Sequence, residues 1–278
     1  SSPTLLLASQ RCGSQGDFDL VVDETNALLQ VKGITVRFGG ITALDSVSFD
    51  LPRDKICGLI GPNGAGKTTL FNCLSRLYAY QEGDLLFEGK SITDTPVHEM
   101  TQIGIGRTFQ NLAMFKTMTV QENVMVGAHS KSETGFIGGL LPNAKTRKEE
   151  QHLRELADDL ITRLKLTDVA HRQVGDLPFG YQKRVEFARA LAAQPRLLLL
   201  DEPAAGLNHE ELEDLATLIK QVRDDMGISV LLVEHHMQLV MAVSDWIVAL
   251  NFGKKIAEGT PEEIQKHPDV IRAYLGGD

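Results

Sequence analysis

The sequence predicts an α/β fold with a parallel-sheet core, an antiparallel β subdomain and an inserted helical subdomain. Three observations carry that expectation. The apolar run Ile56-Cys57-Gly58-Leu59-Ile60 leads into Gly61-Pro62-Asn63-Gly64-Ala65-Gly66-Lys67-Thr68 and then into Thr69-Leu70-Phe71-Asn72-Cys73-Leu74, the order of strand, glycine loop and helix start that a phosphate cradle requires. A second apolar run, Leu197-Leu198-Leu199-Leu200, ends on Asp201 and suits a central parallel strand covered on both faces. Downstream of the loop, strand and helix patterns alternate, which specifies an α/β core.

The elements follow in order. Residues 1–27 hold a short apolar stretch at 4–8 without a basic start, too short for a secretory signal; they are expected to be a poorly ordered tail or linker. From Leu28 the pattern alternates with period 2 through Phe38 and again over 46–51, and 84–89 adds a short segment. These read as antiparallel strands around the glycine loop. From about 120 to 166 the period becomes 3.6, clearest in Leu153, Leu156, Leu160, Ile161 and Leu164, with a loop at 135–143. A mostly helical subdomain, about 111–193, is therefore expected inside one domain spanning 28–278. A helix to Ala193 precedes the strand 196–201; a helix at 210–225, a strand at 228–233 and a short helix from Met237 come next. Residues 246–258 alternate weakly around Asn251-Phe252-Gly253, and closing helices fall in a C-terminal extension, about 254–278. The chain shows no internal repeat.

The 278 residues can bury a full core, and with 42% hydrophobic and 23% charged residues the composition is that of a folded protein. No apolar run approaches the roughly 18 residues that span a bilayer, so any membrane role is expected to be peripheral. The net charge of -9 argues against nucleic acid as a partner, because a phosphate backbone would be repelled without a basic stripe. The densest basic patch, Lys145 to Lys148, is cancelled by Glu149-Glu150 and reads as a solvated helix face. Cys12, Cys57 and Cys73 show no C-x-x-C spacing, which excludes a zinc ribbon; Cys57 and Cys73 read as small buried apolar residues in a reducing compartment. His235 and His236 are adjacent, and adjacent side chains are expected to point apart, against a paired metal site.

The glycine loop fits G-x-x-x-x-G-K-[ST]. Its backbone N–H groups turn toward anionic oxygens, the helix N-terminus adds partial positive charge, Lys67 reaches the β- and γ-phosphates, and Thr68 offers its hydroxyl to Mg²⁺. Chance would produce four such fixed positions in about one chain in a hundred, and the flanking strand and helix make accident rarer. Asp201 at a strand tip suits Mg²⁺, and Glu202 beside it suits an attacking water. Joined to the phosphate loop, the two carboxylates become the second half of a nucleotide site.

Here the sequence resembles the ATP-binding subunits of ABC transporters, an ABC-type P-loop NTPase, from about Leu28 to the C-terminus. The resemblance implies that Phe38 stacks on adenine and that Gly61, Asn63, Gly64, Ala65, Gly66, Lys67, Thr68 and Thr69 hold ATP. It implies that Gln110, in Arg107-Thr108-Phe109-Gln110, reaches Mg²⁺ and the attacking water, with Thr68 and Asp201 as further Mg²⁺ ligands. The segment Leu177-Pro178-Phe179-Gly180-Tyr181-Gln182 stands at the signature position, where Phe179, Gly180, Tyr181 and Gln182 would face the partner's ATP. Residues 205–208 resemble the loop that crosses the dimer interface, and His235 the switch histidine at the γ-phosphate, acting with Glu202 and Gln110. Met118-Thr119-Val120-Gln121-Glu122-Asn123-Val124, Asp201-Glu202-Pro203-Ala204-Ala205-Gly206-Leu207-Asn208 and the tail 253–276 are similar to the LivG-type ATPases of branched-chain amino acid importers, whose relatives also serve urea and short amides.

That resemblance implies ATP and Mg²⁺ as cofactors, a peripheral position on the cytoplasmic face of the inner membrane, and integral membrane permease subunits as partners, with a periplasmic solute-binding protein engaged indirectly. An apolar strip of Phe109, Leu112, Met114 and Phe115 is expected to receive a coupling helix of the permease. The departure is in the signature, usually L-S-G-G-Q, where Pro178 replaces serine. Proline offers neither the hydroxyl nor the N–H that serine would give to the γ-phosphate across the interface. A non-identical second ATPase subunit with two unequal sites is the expectation, a homodimer the alternative. Other function classes stay open: a soluble ABC ATPase of translation or repair, or a regulatory module that binds ATP without hydrolysing it.

Overall fold

The computed structural model describes residues 27–108, 114–129 and 144–275. The first half of the chain supplies β1 (Ala27–Phe38), β2 (Ile41–Pro52), β3 (Ile56–Ile60), α1 (Lys67–Leu74), β4 (Glu82–Phe87), β5 (Lys90–Ser91) and β6 (Ile105–Arg107). The second half supplies α2 (Val120–His129), α3 (Ala144–Arg163), α4 (Phe179–Ala192), β7 (Leu197–Asp201), α5 (His209–Met226), β8 (Ser229–Val233), α6 (Met237–Val243), β9 (Trp246–Asn251), β10 (Lys254–Gly259), α7 (Pro261–Lys266) and α8 (Pro268–Leu275).

The strands build two sheets. One is antiparallel with the order β2-β1-β4-β5; the other has the order β10-β9-β3-β8-β7-β6, parallel throughout except for the β9–β10 hairpin at its edge. The strands β3, β7 and β8 are buried at every residue and mostly apolar, because both of their faces are covered. Alternate residues serve different cores. Ile56, Ile60, Leu198, Leu200, Val230 and Leu232 join one cluster with residues of α2, α3, α4, α5 and α6. Cys57, Leu59, Leu197, Leu199, Leu231 and Val233 join the other, with α1 and the antiparallel sheet. A fully buried leucine or isoleucine contributes roughly 2 kcal/mol, so these three strands anchor both cores at once.

The helices α2, α3 and α4 pack on one another, with Val124, Ala157, Leu160, Val185 and Ala188 in the shared interior. The approach of α2 to α4 requires a glycine: a Cβ on Gly127 would lie 2.1 Å from the Arg189 carbonyl oxygen. The free thiols Cys57 and Cys73 are buried, and burial pushes the Cys73 pKa up to about 11 and the Cys57 pKa higher still. They act as small apolar residues. Among the described residues no helix is long and apolar enough to cross a membrane.

The elements differ from the sequence expectation at β2, β5 and β6. β2 begins at Ile41 rather than Ser46, because the 39–40 turn folds β1 straight back so that Phe38 pairs with Ile41. β5 and β6, of two and three residues, are too short to show a period and are defined by their neighbours. The expected loop at 135–143 lies outside the described residues.

Candidate functional site

Because β3, β8, β7 and β6 run parallel, their C-terminal ends lie along one edge of the sheet, where open α/β sheets carry ligands. Loop 61–68 leaves β3; Asp201 and Glu202 close β7; Glu234, His235 and His236 follow β8; Arg107 ends β6. Residues far apart in the chain are thereby brought to one line.

The loop is shaped by its glycines. A Cβ on Gly61, where φ is 153°, would lie 2.3 Å from the Leu250 carbonyl oxygen, whereas Gly64, with φ of 80°, meets nothing within 4 Å and faces open space. The first is demanded by β9, and the second leaves the backbone open to a ligand. Gly66 starts α1 in the left-handed conformation, and no side chain caps the helix, so first-turn N–H groups of Lys67, Thr68 and Thr69 remain for an anion. Lys67 is buried, and its Nζ donates to the carbonyls of Gly61 (2.6 Å) and Pro62 (3.1 Å). Burial lowers its pKa, and the nearby Glu202 charge works in the opposite direction.

Three segments that the sequence did not connect to the loop brace it. The Gly253 N–H donates to the Ala65 carbonyl at 3.0 Å, and the Asp45 N–H donates to Gly253 at 2.8 Å. The Tyr274 hydroxyl, on α8, is hydrogen-bonded to the Gly61 backbone; burial raises this phenol's pKa and that bond lowers it. Asn63, Gly64 and Thr68 are exposed, and Thr69 is half-buried.

Asp201 is buried at the tip of β7. Arg107 Nη2 donates to its Oδ2 at 3.3 Å, donates through Nη1 to Ser75 Oγ (2.6 Å) and Asn72 Oδ1 (3.1 Å), and stacks over the Phe71 ring at 4.6 Å. Burial raises the Asp201 pKa; Arg107 pulls it down, while Glu202 and Glu234 add to the rise. Asp201 is a desolvated carboxylate with one guanidinium bond on Oδ2 and with the charges of Glu202 and Glu234 close by, and Thr68 at the start of α1 adds an exposed hydroxyl; the metal-ligating atoms offered are oxygens. Such donors fit a hard divalent cation such as Mg²⁺.

Glu202 has φ of 47°, a left-handed conformation that costs a non-glycine residue roughly 1–3 kcal/mol and collects at functional sites. Its N–H donates to the Val233 carbonyl at 2.8 Å, tying the end of β7 to the end of β8. Its Oε1 lies 3.9 Å from His235 Nδ1. The expectation that His235 and His236 point apart is corrected: their ring centroids are 4.4 Å apart with planes tilted by 35°. Both leave an irregular strand-to-helix turn, where strand alternation no longer governs direction.

Glu234 is the residue that sequence reasoning missed. It is fully buried; Oε1 accepts from the Ala204 N–H (2.8 Å), and Oε2 accepts from the N–H groups of His235 (3.0 Å) and His236 (3.2 Å) and pairs with His236 Nδ1 (3.0 Å). Glu234, His235 and His236 do bring ligating atoms within 4.8 Å of one another. The carboxylate oxygens, however, are already taken by backbone donors, so the group forms a hydrogen-bond hub rather than a metal cage.

The remaining expected residues are dispersed. Phe38 is half-exposed beside Tyr78, ring centroids 5.6 Å apart and edge to face. Pro178 stands before α4, whose first residue is Phe179, and no side-chain cap is present. Phe179 and Tyr181 are exposed, Gln182 Nε2 donates to the Leu177 carbonyl at 2.8 Å, and Gly180 backs onto the Glu211 side chain. Gln110, Phe109 and Leu112 lie outside the described residues. Of the expected apolar strip, Met114 belongs instead to the core, its side chain packed among the helices, while Phe115 is exposed. The buried Asn123 holds this segment: it accepts from the Phe115 N–H (3.0 Å) and donates to the carbonyls of Phe115 and Thr119 (both 3.0 Å).

A strand, phosphate loop and helix, a carboxylate pair closing the neighbouring strand, and a histidine after the next define a nucleotide-hydrolysing cassette. The family model described as ABC transporter matches residues 44–205, and that described as branched-chain amino acid ATP-binding cassette transporter matches 254–278. The high-affinity branched-chain amino acid transport ATP-binding protein BraF of Pseudomonas aeruginosa is 45% identical over 90% of this chain and 98% of its own length. Its counterpart LivG of Escherichia coli is 43% identical with the same coverage. The crystal structure of a nucleotide-free ATP-binding cassette from an ABC transporter superposes with a TM-score of 0.78 and 31% identity, over 90% of this chain and 99% of that one; the ADP conformation of such a cassette matches equally well. The chain belongs to the ATP-binding subunits of ABC transporters, in the branched-chain amino acid branch, and is an ATPase.

Proposed function

We propose that the chain hydrolyses ATP as one half of a dimer whose closure powers import of branched-chain amino acids, or of small solutes such as urea and amides, through integral membrane permease subunits. The observation that carries this reading is the convergence of Lys67, Asp201, Glu202 and His235 on one sheet edge. On this reading Gly61, Asn63, Gly64, Ala65, Gly66, Lys67, Thr68 and Thr69 wrap the phosphates, and Lys67 exchanges its two loop carbonyls for phosphate oxygens. Phe38 offers its half-exposed ring to the base.

Thr68 and Asp201, with Gln110, would hold Mg²⁺. When bound, it supplies positive charge to the phosphate oxygens as negative charge shifts toward the leaving group. Glu202 orients the attacking water, and His235, within 4 Å of it, faces the γ-phosphate. The subunit would sit peripherally on the cytoplasmic face of the inner membrane, with a periplasmic binding protein delivering solute to the permease.

The partner ATPase subunit is most simply a different chain. Proline at 178 leaves α4 without a hydroxyl or N–H donor at its capping position, so the site that uses this signature would be the weaker one. In the assembled transporter, Glu202→Gln is expected to lower ATP turnover by about 10²- to 10⁴-fold with ATP binding retained. The equivalent change in the partner should matter less. Phosphate release by the three complexes decides: unchanged turnover for Glu202→Gln rejects the catalytic assignment, and equal losses reject the asymmetry.

A further inference from the structure

We infer that Glu234 is a positioning residue for hydrolysis: its buried carboxylate clamps the loop that follows Glu202 to the turn that carries His235. The inference rests on the proposed hydrolytic roles of Glu202 and His235. Its geometry is independent of them.

A carboxylate carries about four lone-pair sites, and four donors reach Glu234. They are three backbone N–H groups, of Ala204, His235 and His236, and the His236 imidazole at Nδ1. The side chain is fully buried, so removing one acceptor would strand a backbone donor away from water, at a cost that favours keeping all four. The set of donors is informative. One comes from the loop after β7, two residues beyond Glu202, and three come from the turn after β8. Together with the Glu202 N–H on the Val233 carbonyl, the clamp makes the two strand ends one unit. The left-handed conformation of Glu202 needs such over-determination from its surroundings.

His235 is half-exposed, with its Nδ1 3.9 Å from Glu202 Oε1. The backbone beneath the two residues, which Glu234 ties together, sets how they face each other. Glutamine at 234 would keep the shape but turn one acceptor into an NH₂ donor facing N–H groups. The phosphate loop is untouched by that change, because it belongs to β3 and α1 and is braced by Asp45, Gly253 and Tyr274. A loss of turnover without a loss of binding follows.

The test uses the assembled transporter carrying Glu234→Gln or Glu234→Asp, the second retaining charge and acceptors while shortening the reach. Both should lower kcat on the order of 100-fold, the scale at which misplacement by about 1 Å is felt. KM for ATP and the affinity of a fluorescent ATP analogue should stay within about threefold, and hydrogen exchange should quicken at the amides of Ala204, His235 and His236. Wild-type kcat in either folded variant overturns the inference. So does a parallel loss of ATP affinity and thermal stability in the aspartate variant, which would make Glu234 a structural residue only. Absence of turnover in the wild-type complex would instead count against the proposed function.

Discussion

Two glycines of the same motif are retained for opposite reasons. Gly61 is packed against β9, where any Cβ would strike the Leu250 carbonyl, while Gly64 looks into open space. Gly61→Ala is therefore expected to destabilise the fold by about 3 kcal/mol, from overpacking and backbone strain together. Gly64→Ala should cost about 1 kcal/mol yet weaken ATP binding by occupying the face a phosphate approaches. Urea unfolding and nucleotide titration of the two variants separate these effects; equal stabilities would contradict the packing argument. The motif was legible because each residue type has a single stereochemical or charge role. Glu234 was not, because a glutamate at a strand end is ordinary in sequence, and only the neighbouring loop of β7 reveals its donors.

At the scale of elements, the short β4–β5 pair shows how side chains replace the ladder that a two-residue strand cannot supply. Asp84 Oδ1 accepts from the Leu85 N–H (2.9 Å), Ser91 Oγ (2.6 Å) and Thr93 Oγ1 (2.6 Å). Burial alone would raise its pKa; the bonds from Ser91, Thr93 and Leu85 and the Lys32 charge overcome this and hold it below the ordinary value. Its stabilising contribution is thus complete above the unfolded-state pKa and is lost as pH falls through the lower folded value. The urea midpoint of the wild type should drop on acidification from about pH 7 to pH 3, and that of Asp84→Asn should drop by less; identical pH profiles would reject the assignment. Long periodic helices and the mostly apolar buried strands were readable because burial repeats along them. β5 and β6 were not, since two or three residues carry no period, and the ion pair of Arg107 with Asp201 came to light only with β6 in the sheet.

Across the whole molecule, the helices α2 to α4 and the central sheet share one core, so packed side chains run without a break from beneath the nucleotide edge to the helical surface. Phe115 stands at the surface of that unit, held by Asn123, whereas Met114 beside it is internal. Phe115→Asp is expected to release the subunit from its permease and leave stability within about 0.5 kcal/mol, as for other exposed positions. Co-purification with the permease and a thermal melt test both halves, and retention on the permease would reject Phe115 as the contact.

The sequence by itself determined the phosphate loop, the carboxylate pair, the family and the alternation of strands and helices, because these are local patterns of residue type and spacing. Tertiary structure alone decided that alternate residues of β3, β7 and β8 feed two different cores, that Met114 turns inward, that His235 and His236 stack, and that Glu234 joins two strand ends. Each of those facts depends on which surface lies opposite a side chain. That is a property of the folded partner, not of the segment.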